Sequence, residues 1–269
     1  MSKQHDSART TTQPWLADFS SRHAGGTVGL QVYGKAGRAS TRPLVLYFHG
    51  GLFNCGKVED AAAIAAALSA GSVVACVDYP LAPRLHFPAT VEVAFESLLW
   101  AAASAAKLGA DAKRLHIAGD QAGGNLAAAV AMMTRDRGLQ IDHAKLVGQI
   151  LINPMLDPQL STPSMQTEGA GSCFKAWKSY LTCVSDSMHP YAAPACSKRL
   201  GNLAPALIVS TDHCPMRDEA EQYAGKLIAA GVPVQMRRLN AGKVPAVHPD
   251  HPEFAQLVQI VGQFVADGA

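Results

Sequence analysis

Apolar residues along the chain fall into two alternating patterns. Short aliphatic or β-branched runs occur at Leu44–His49, Val73–Asp78, Arg114–Ala118, Leu146–Asn153, Ala206–Thr211 and Val234–Leu239. Between them lie longer stretches with helical spacing at Glu59–Ala70, Ala89–Lys107, Gly124–Arg137, Asp218–Ala230 and Glu253–Asp267. Runs of this length bounded by turn residues read as buried strands, and their alternation with helices predicts a mostly parallel sheet covered on both faces. Gly71, Gly109, Gly138 and Gly231 stand where helices end and a left-handed cap is expected. The fold class is therefore α/β, with a doubly wound sheet in one domain spanning residues 1–269.

Two stretches break the rhythm. Met1–Gln13 is polar and Thr-rich, and residues 1–25 read as a leader or the remnant of a cap. Met155–Leu203 carries several prolines, Ser and Thr clusters and the scattered aromatics Trp177, Tyr180 and Tyr191, which predicts an inserted lid at 155–203. Ligands of open α/β sheets sit at the carboxyl ends of the strands, so a lid crossing that edge would line a pocket.

Composition narrows the picture without changing it. Hydrophobic residues make up 48% of the chain and charged residues 16%, which suits a compact body with large buried strands. The net charge is +2 and the basic residues are scattered, so nucleic acid is not an expected partner. The leader lacks the apolar run of a signal peptide, and the Ala-rich stretches Ala61–Leu68 and Leu98–Ala106 are too short to cross a bilayer; a cytoplasmic location with no membrane partner is expected. Cys55, Cys76, Cys173, Cys183, Cys196 and Cys214 contain no CxxC pair, so free thiols, no metal and no cofactor are expected.

The candidate chemistry lies in two glycine-rich turns. The first strand runs into His49-Gly50-Gly51-Leu52, where glycines let backbone N–H groups converge on a developing oxyanion. The strand ending at Ala118 meets Gly119-Asp120-Gln121-Ala122-Gly123-Gly124 and then a helix. That order of strand, sharp turn and helix is the geometry of a nucleophile elbow, G-x-S-x-G, with Gln121 in place of the serine.

HGGLF at His49–Phe53, DYPLAPRLHFPAT at Asp78–Thr90, GDQAGGNLAAAVA at Gly119–Ala131 and the long segment Pro205–Leu239 resemble the hormone-sensitive-lipase-like esterases, a branch of the α/β-hydrolase fold. The likeness covers most of residues 40–265. It implies an α/β-hydrolase sheet and a Ser-Asp-His triad, yet the three triad columns fall on Gln121, Cys214 and Val244. An amide has no nucleophilic oxygen for a base to activate, so the usual acyl-enzyme route is not expected. Where the family has a third oxyanion glycine this chain has Leu52, and where its DYRLAPE motif has Arg and Glu it has Pro80 and Arg84.

These departures predict a non-hydrolytic, biosynthetic enzyme of the cyclase, lyase, dehydratase or isomerase type acting on a small carbonyl compound. Gln121, His248 and Asp212 are its expected catalytic residues. His49, Gly50, Gly51, Leu52, Ala122, Cys214 and Arg84 are expected to bind the oxyanion or substrate, with N–H donors from Gly50, Gly51 and Ala122. His248 enters only if the loop Asn240–Val247 bulges, and of the adjacent Asp212 and His213 at most one faces the pocket. Two alternatives stand beside this reading: a ligand-binding pseudoenzyme, and a residual carboxylesterase with an unconventional site using His248, Cys214 or Cys55. A homodimer is possible by family analogy.

Overall fold

The computed structural model describes residues 13–35, 41–139, 141, 143–166, 170–242 and 244–268. Eight strands form one sheet: β1 (Trp15–Ser21), β2 (Gly26–Tyr33), β3 (Pro43–Phe48), β4 (Val73–Asp78), β5 (Asp111–Asp120), β6 (Leu146–Ile152), β7 (Ala206–Thr211) and β8 (Val234–Leu239). Their spatial order is β1-β2-β4-β3-β5-β6-β7-β8. The β1–β2 and β2–β4 pairs are antiparallel and every later pair is parallel. Six helices cover it: α1 (Ala62–Leu68), α2 (Ala89–Leu108), α3 (Ala122–Arg137), α4 (Ala170–Tyr180), α5 (Arg217–Ala229) and α6 (Phe254–Asp267).

The alternation of side chains along each strand sorts the core into two layers. Leu44, Leu46 and Phe48 of β3 pack with α2, α3 and α5 on one face. Val45 and Tyr47 face α1 and α6 on the other. The parallel strands are buried on both sides, which is why they read as unbroken apolar runs. Among the described residues, no helix is long and apolar enough to cross a membrane.

The six expected strands and five expected helices all form, with ends displaced by a few residues. Gly109 and Gly138 take positive φ at the ends of α2 and α3, and Gly231 does so one residue past the cap of α5. Gly71 does not: α1 already ends at Leu68, capped by Ser69.

The leader is corrected in part. Residues 1–12 lie outside the described residues, but residues 15–33 are a β-hairpin whose second strand buries Val28, Leu30 and Val32 against the sheet. The alternation Thr27-Val28-Gly29-Leu30-Gln31-Val32 carries the period of a half-buried strand.

The segment expected as a lid is described except at 167–169. It contains α4 and three short 3-10 turns, and it packs inward. Tyr180 stacks on Phe53 with ring centroids 3.9 Å apart, and Trp177 lies 5.1 Å from the same ring. Its start is clamped by α5: the Leu156 N–H donates to Glu219 at 2.8 Å and the Ser164 N–H to Asp218 at 2.8 Å.

Glu219 is 2% exposed and one of its oxygens lacks a partner. Burial outweighs the Leu156 hydrogen bond and pushes its pKa from 4.5 to about 8. A carboxyl with a raised folded pKa binds more protons folded than unfolded, so its contribution to stability falls as pH rises from 4.5 to about 8 and is level above that. Glu219→Gln keeps an acceptor for Leu156 and removes the titration. The gain in melting temperature over wild type should therefore grow by several degrees between pH 5 and pH 8 in thermal scans; a difference independent of pH would show that Glu219 does not titrate there.

Candidate active site

The turn between β5 and α3 is an elbow built by steric necessity. Gln121 sits at its apex with φ 52° and ψ −116°, a conformation that side-chain-bearing residues rarely hold. A Cβ on Gly119 would come within 2.3 Å of the Gly123 carbonyl carbon, and one on Gly123 within 2.2 Å of the Phe48 carbonyl oxygen. Glycine alone permits so close an approach. Two hydrogen bonds from neighbouring chain pin the apex: the Gln121 N–H donates to the Ile152 carbonyl at 2.9 Å, and the Gln121 carbonyl accepts from the Met155 N–H at 3.0 Å.

Beneath the elbow is a cavity of about 190 Å³. Gln121, Cys214 and Val244, the three positions at which the resemblance expects a triad, all line it. Asp120, Asn153 and His213 also reach its wall.

Contrary to expectation, neither the loop after β3, with His49, Gly50, Gly51 and Leu52, nor Ala122 lines this cavity. The Gly50 N–H donates to the Asp120 carboxylate. The Gly51 N–H donates to Gln121 Oε1 at 2.9 Å. The Ala122 N–H donates to the Gly51 carbonyl at 3.1 Å. All three expected oxyanion donors thus have acceptors within the protein, and that of Gly51 is the Gln121 side chain turned back onto the loop. Leu52 is half-buried and packs against the main apolar cluster. His49 is buried, stacks on Tyr79 at 4.3 Å between centroids and contacts the Gly50 carbonyl through Nδ1 at 2.8 Å. Burial lowers its pKa, so it is a neutral support for the loop.

Several expected residues lie elsewhere. Asp212 turns outward and comes within 3.9 Å of Arg238, while its neighbour His213, in the turn that closes with the Cys214 N–H on the Thr211 carbonyl, lies on the cavity wall. His248 does not enter: Ala246 and Val247 are buried, the turn closes with the His248 N–H on the Pro245 carbonyl at 2.9 Å, and the ring emerges beside Asp250 in a separate surface groove with Tyr33, Glu59 and Asp60. Arg84 is exposed on the loop after β4 and Cys55 is exposed on the loop after β3; neither lines the cavity. Cys214 does line it, but burial pushes its thiol up to about 12, so it is protonated at neutral pH and a poor nucleophile.

Asp120 was missed by sequence reasoning. It is 4% exposed and accepts from the Tyr47 hydroxyl at 2.9 Å. The signal was its place within Gly119-Asp120-Gln121, one residue before the apex, where a strand side chain on the face opposite Gly119 points under the turn.

Residues 45–243 match the family described as alpha/beta hydrolase fold. The chain is 37% identical over 206 residues to carboxylesterase NlhH of Mycobacterium tuberculosis, a match covering 72% of this chain and 63% of that protein's length. It is 33% identical over 233 residues to an arylesterase of Saccharolobus solfataricus, covering 83% and 74%. A hyperthermophilic esterase from Pyrobaculum calidifontis superposes with a TM-score of 0.81 at 32% identity, covering 96% of this chain and 87% of that one. These relatives overturn the expectation of a non-hydrolytic biosynthetic enzyme: at such identity the named activities are those of carboxylesterases and arylesterases. A match that runs from within β3 past the end of β8, over a sheet of the same topology, settles the descent: the chain belongs to the α/β-hydrolase fold family, in its hormone-sensitive-lipase-like esterase branch.

Proposed function

We propose that this protein acts on small carboxylic esters and that its hydrolysis proceeds by direct attack of water, without an acyl-enzyme. The esterase relatives support the substrate class. The observation that carries the route is the apex itself: Gln121, Cys214 and Val244 share one cavity, and none offers an activated oxygen or sulfur. The triad is replaced at all three corners, and water is the remaining nucleophile.

The Gln121 amide supports the binding half of this reading. With Oε1 held by the Gly51 N–H, the orientation of the amide follows from that bond, and Nε2 is left to donate to a carbonyl in the cavity. The ligand is a single small molecule, in keeping with a cavity of about 190 Å³.

A second reading, a ligand-holding pseudoenzyme, is favoured by the bond between Gln121 and Gly51, which occupies the donor that an ester oxygen would need. Turnover separates the two. Wild type should hydrolyse p-nitrophenyl acetate above a denatured control with no mass increment on the intact protein. Stabilisation by the ester with no release of nitrophenol would favour the pseudoenzyme, and a +42 Da adduct would refute the water route (an acetyl group, by mass).

Triad members act as a unit, so restoring one corner does little. Gln121→Ser alone should leave kcat/KM within about tenfold of wild type, whereas Gln121→Ser with Cys214→Asp and Val244→His should raise it by roughly 10³-fold or more and produce an acyl adduct. A single Gln121→Ser variant matching the triple one would mean that an acid and a base are already in place.

A further inference from the structure

We propose that Asp120 is the general base that draws a proton from the attacking water. This assignment rests on the hydrolytic reading above and names the group that performs its first step. Asp120 is the last residue of β5, and it lines the same cavity as Gln121. Its carboxylate is fixed from two sides. Oδ1 accepts from the Tyr47 hydroxyl at 2.9 Å, and the other oxygen lies under Gly50, where a Cβ would approach it to 1.9 Å and where the backbone N–H donates. With its own backbone N–H as a third donor, three hydrogen bonds still leave acceptor capacity on a group that has about four lone-pair sites. A rigid carboxylate with spare acceptor capacity, on a residue that shares a cavity wall with the Gln121 amide, is the arrangement a water-activating base requires.

The charged and titratable surroundings favour that role. Burial pushes Asp120 from 3.8 to about 7, against the lowering pull of Tyr47 and Gly50, and the carboxylate of Asp60 in the turn before α1 pushes it the same way. Tyr47 on β3, Cys76 on β4 and Tyr79 just after β4 all keep their protons, since burial and Asp120 itself raise each of them. His213, from the loop after β7, is the remaining titratable side chain on the cavity wall besides Cys214. A base whose affinity for protons lies near neutrality is both deprotonated and effective at neutral pH.

The chemistry closes without any further reactant. The water oxygen bonds to the ester carbonyl carbon while Asp120 takes one water proton, and the carbonyl electron pair moves onto its oxygen. Gln121 Nε2–H donates to that oxygen. Collapse re-forms the C=O bond, breaks the bond to the alcohol oxygen and returns the proton from Asp120 to it. Ester and water become acid and alcohol, and the enzyme ends as it began.

The test is the pH profile of p-nitrophenyl acetate hydrolysis by the full chain, corrected for buffer. Wild-type kcat/KM should rise with pH through a single ionisation near 7 and then level off. Asp120→Asn, which keeps an acceptor for Tyr47, should lose about 10²-fold or more and show no such inflection. Tyr47→Phe removes a donor to the carboxylate and should move the inflection to higher pH, which serves as the readout if the Asn variant does not fold. Turnover that keeps its inflection in Asp120→Asn and loses it in His213→Ala would overturn the assignment and make His213 the base. A wild type with no turnover at all would overturn the hydrolytic reading, and this assignment with it.

Discussion

The carboxyl edge of the sheet is organised by the backbone of one residue, Gln121, held at φ 52° and ψ −116°. A conformation of this kind costs about 1–3 kcal/mol. A hydrogen bond to the Ile152 carbonyl and one from the Met155 N–H, each contributing about 0.5–1.5 kcal/mol, offset that cost, and Gly123 packs under the Phe48 carbonyl where a Cβ would clash. None of these contacts involves the Gln121 side chain. The backbone of the elbow is therefore held without help from the apex side chain, whichever residue stands there.

That separation explains which parts of the molecule were legible in the sequence. The parallel strands and their helices are encoded by burial on both faces, a strong local signal, and they form where the apolar runs lie. The elbow was legible because its glycines are sterically obligatory. The hairpin β1–β2 was passed over because β1 is an edge strand with Trp15 and Leu16 exposed, and its polar neighbours resemble a leader. The contents of the site were less legible. His248 and Asp212 have the right residue types for catalysis, but the turns in which they sit, closed on Pro245 and Thr211, leave them outside the cavity. No local pattern states that a Gln121 side chain bends back onto Gly51, since that contact spans 70 residues and depends on the relative height of two loops. The inferred activity failed for a related reason. Loss of a serine shows which covalent route is closed, but not that the substrate class has changed, and the esterase relatives speak to the latter.

Two buried carboxyls illustrate how the same physics yields different outcomes. Glu219 and Asp120 are both raised toward neutrality by burial, the first to about 8 and the second to about 7. Glu219 faces the closed seam between α5 and the residues after β6, where its one hydrogen bond ties the two together. Asp120 lies at the end of a strand, and the sheet's carboxyl edge is where the chain opens into a cavity. Position relative to that edge, and not the size of the shift, separates a structural acid from a candidate base.

Glutamine at the apex also has a physical logic of its own. Here the cavity is small and one wall is the apolar loop Val244–Val247. A donor sealed from water without a partner costs about 1–3 kcal/mol. An alanine at residue 121 would leave the Gly51 N–H without this acceptor, whereas the glutamine supplies one at 2.9 Å. The same side chain presents an amide N–H to the cavity. One residue thus satisfies the loop's donor and carries a donor of its own.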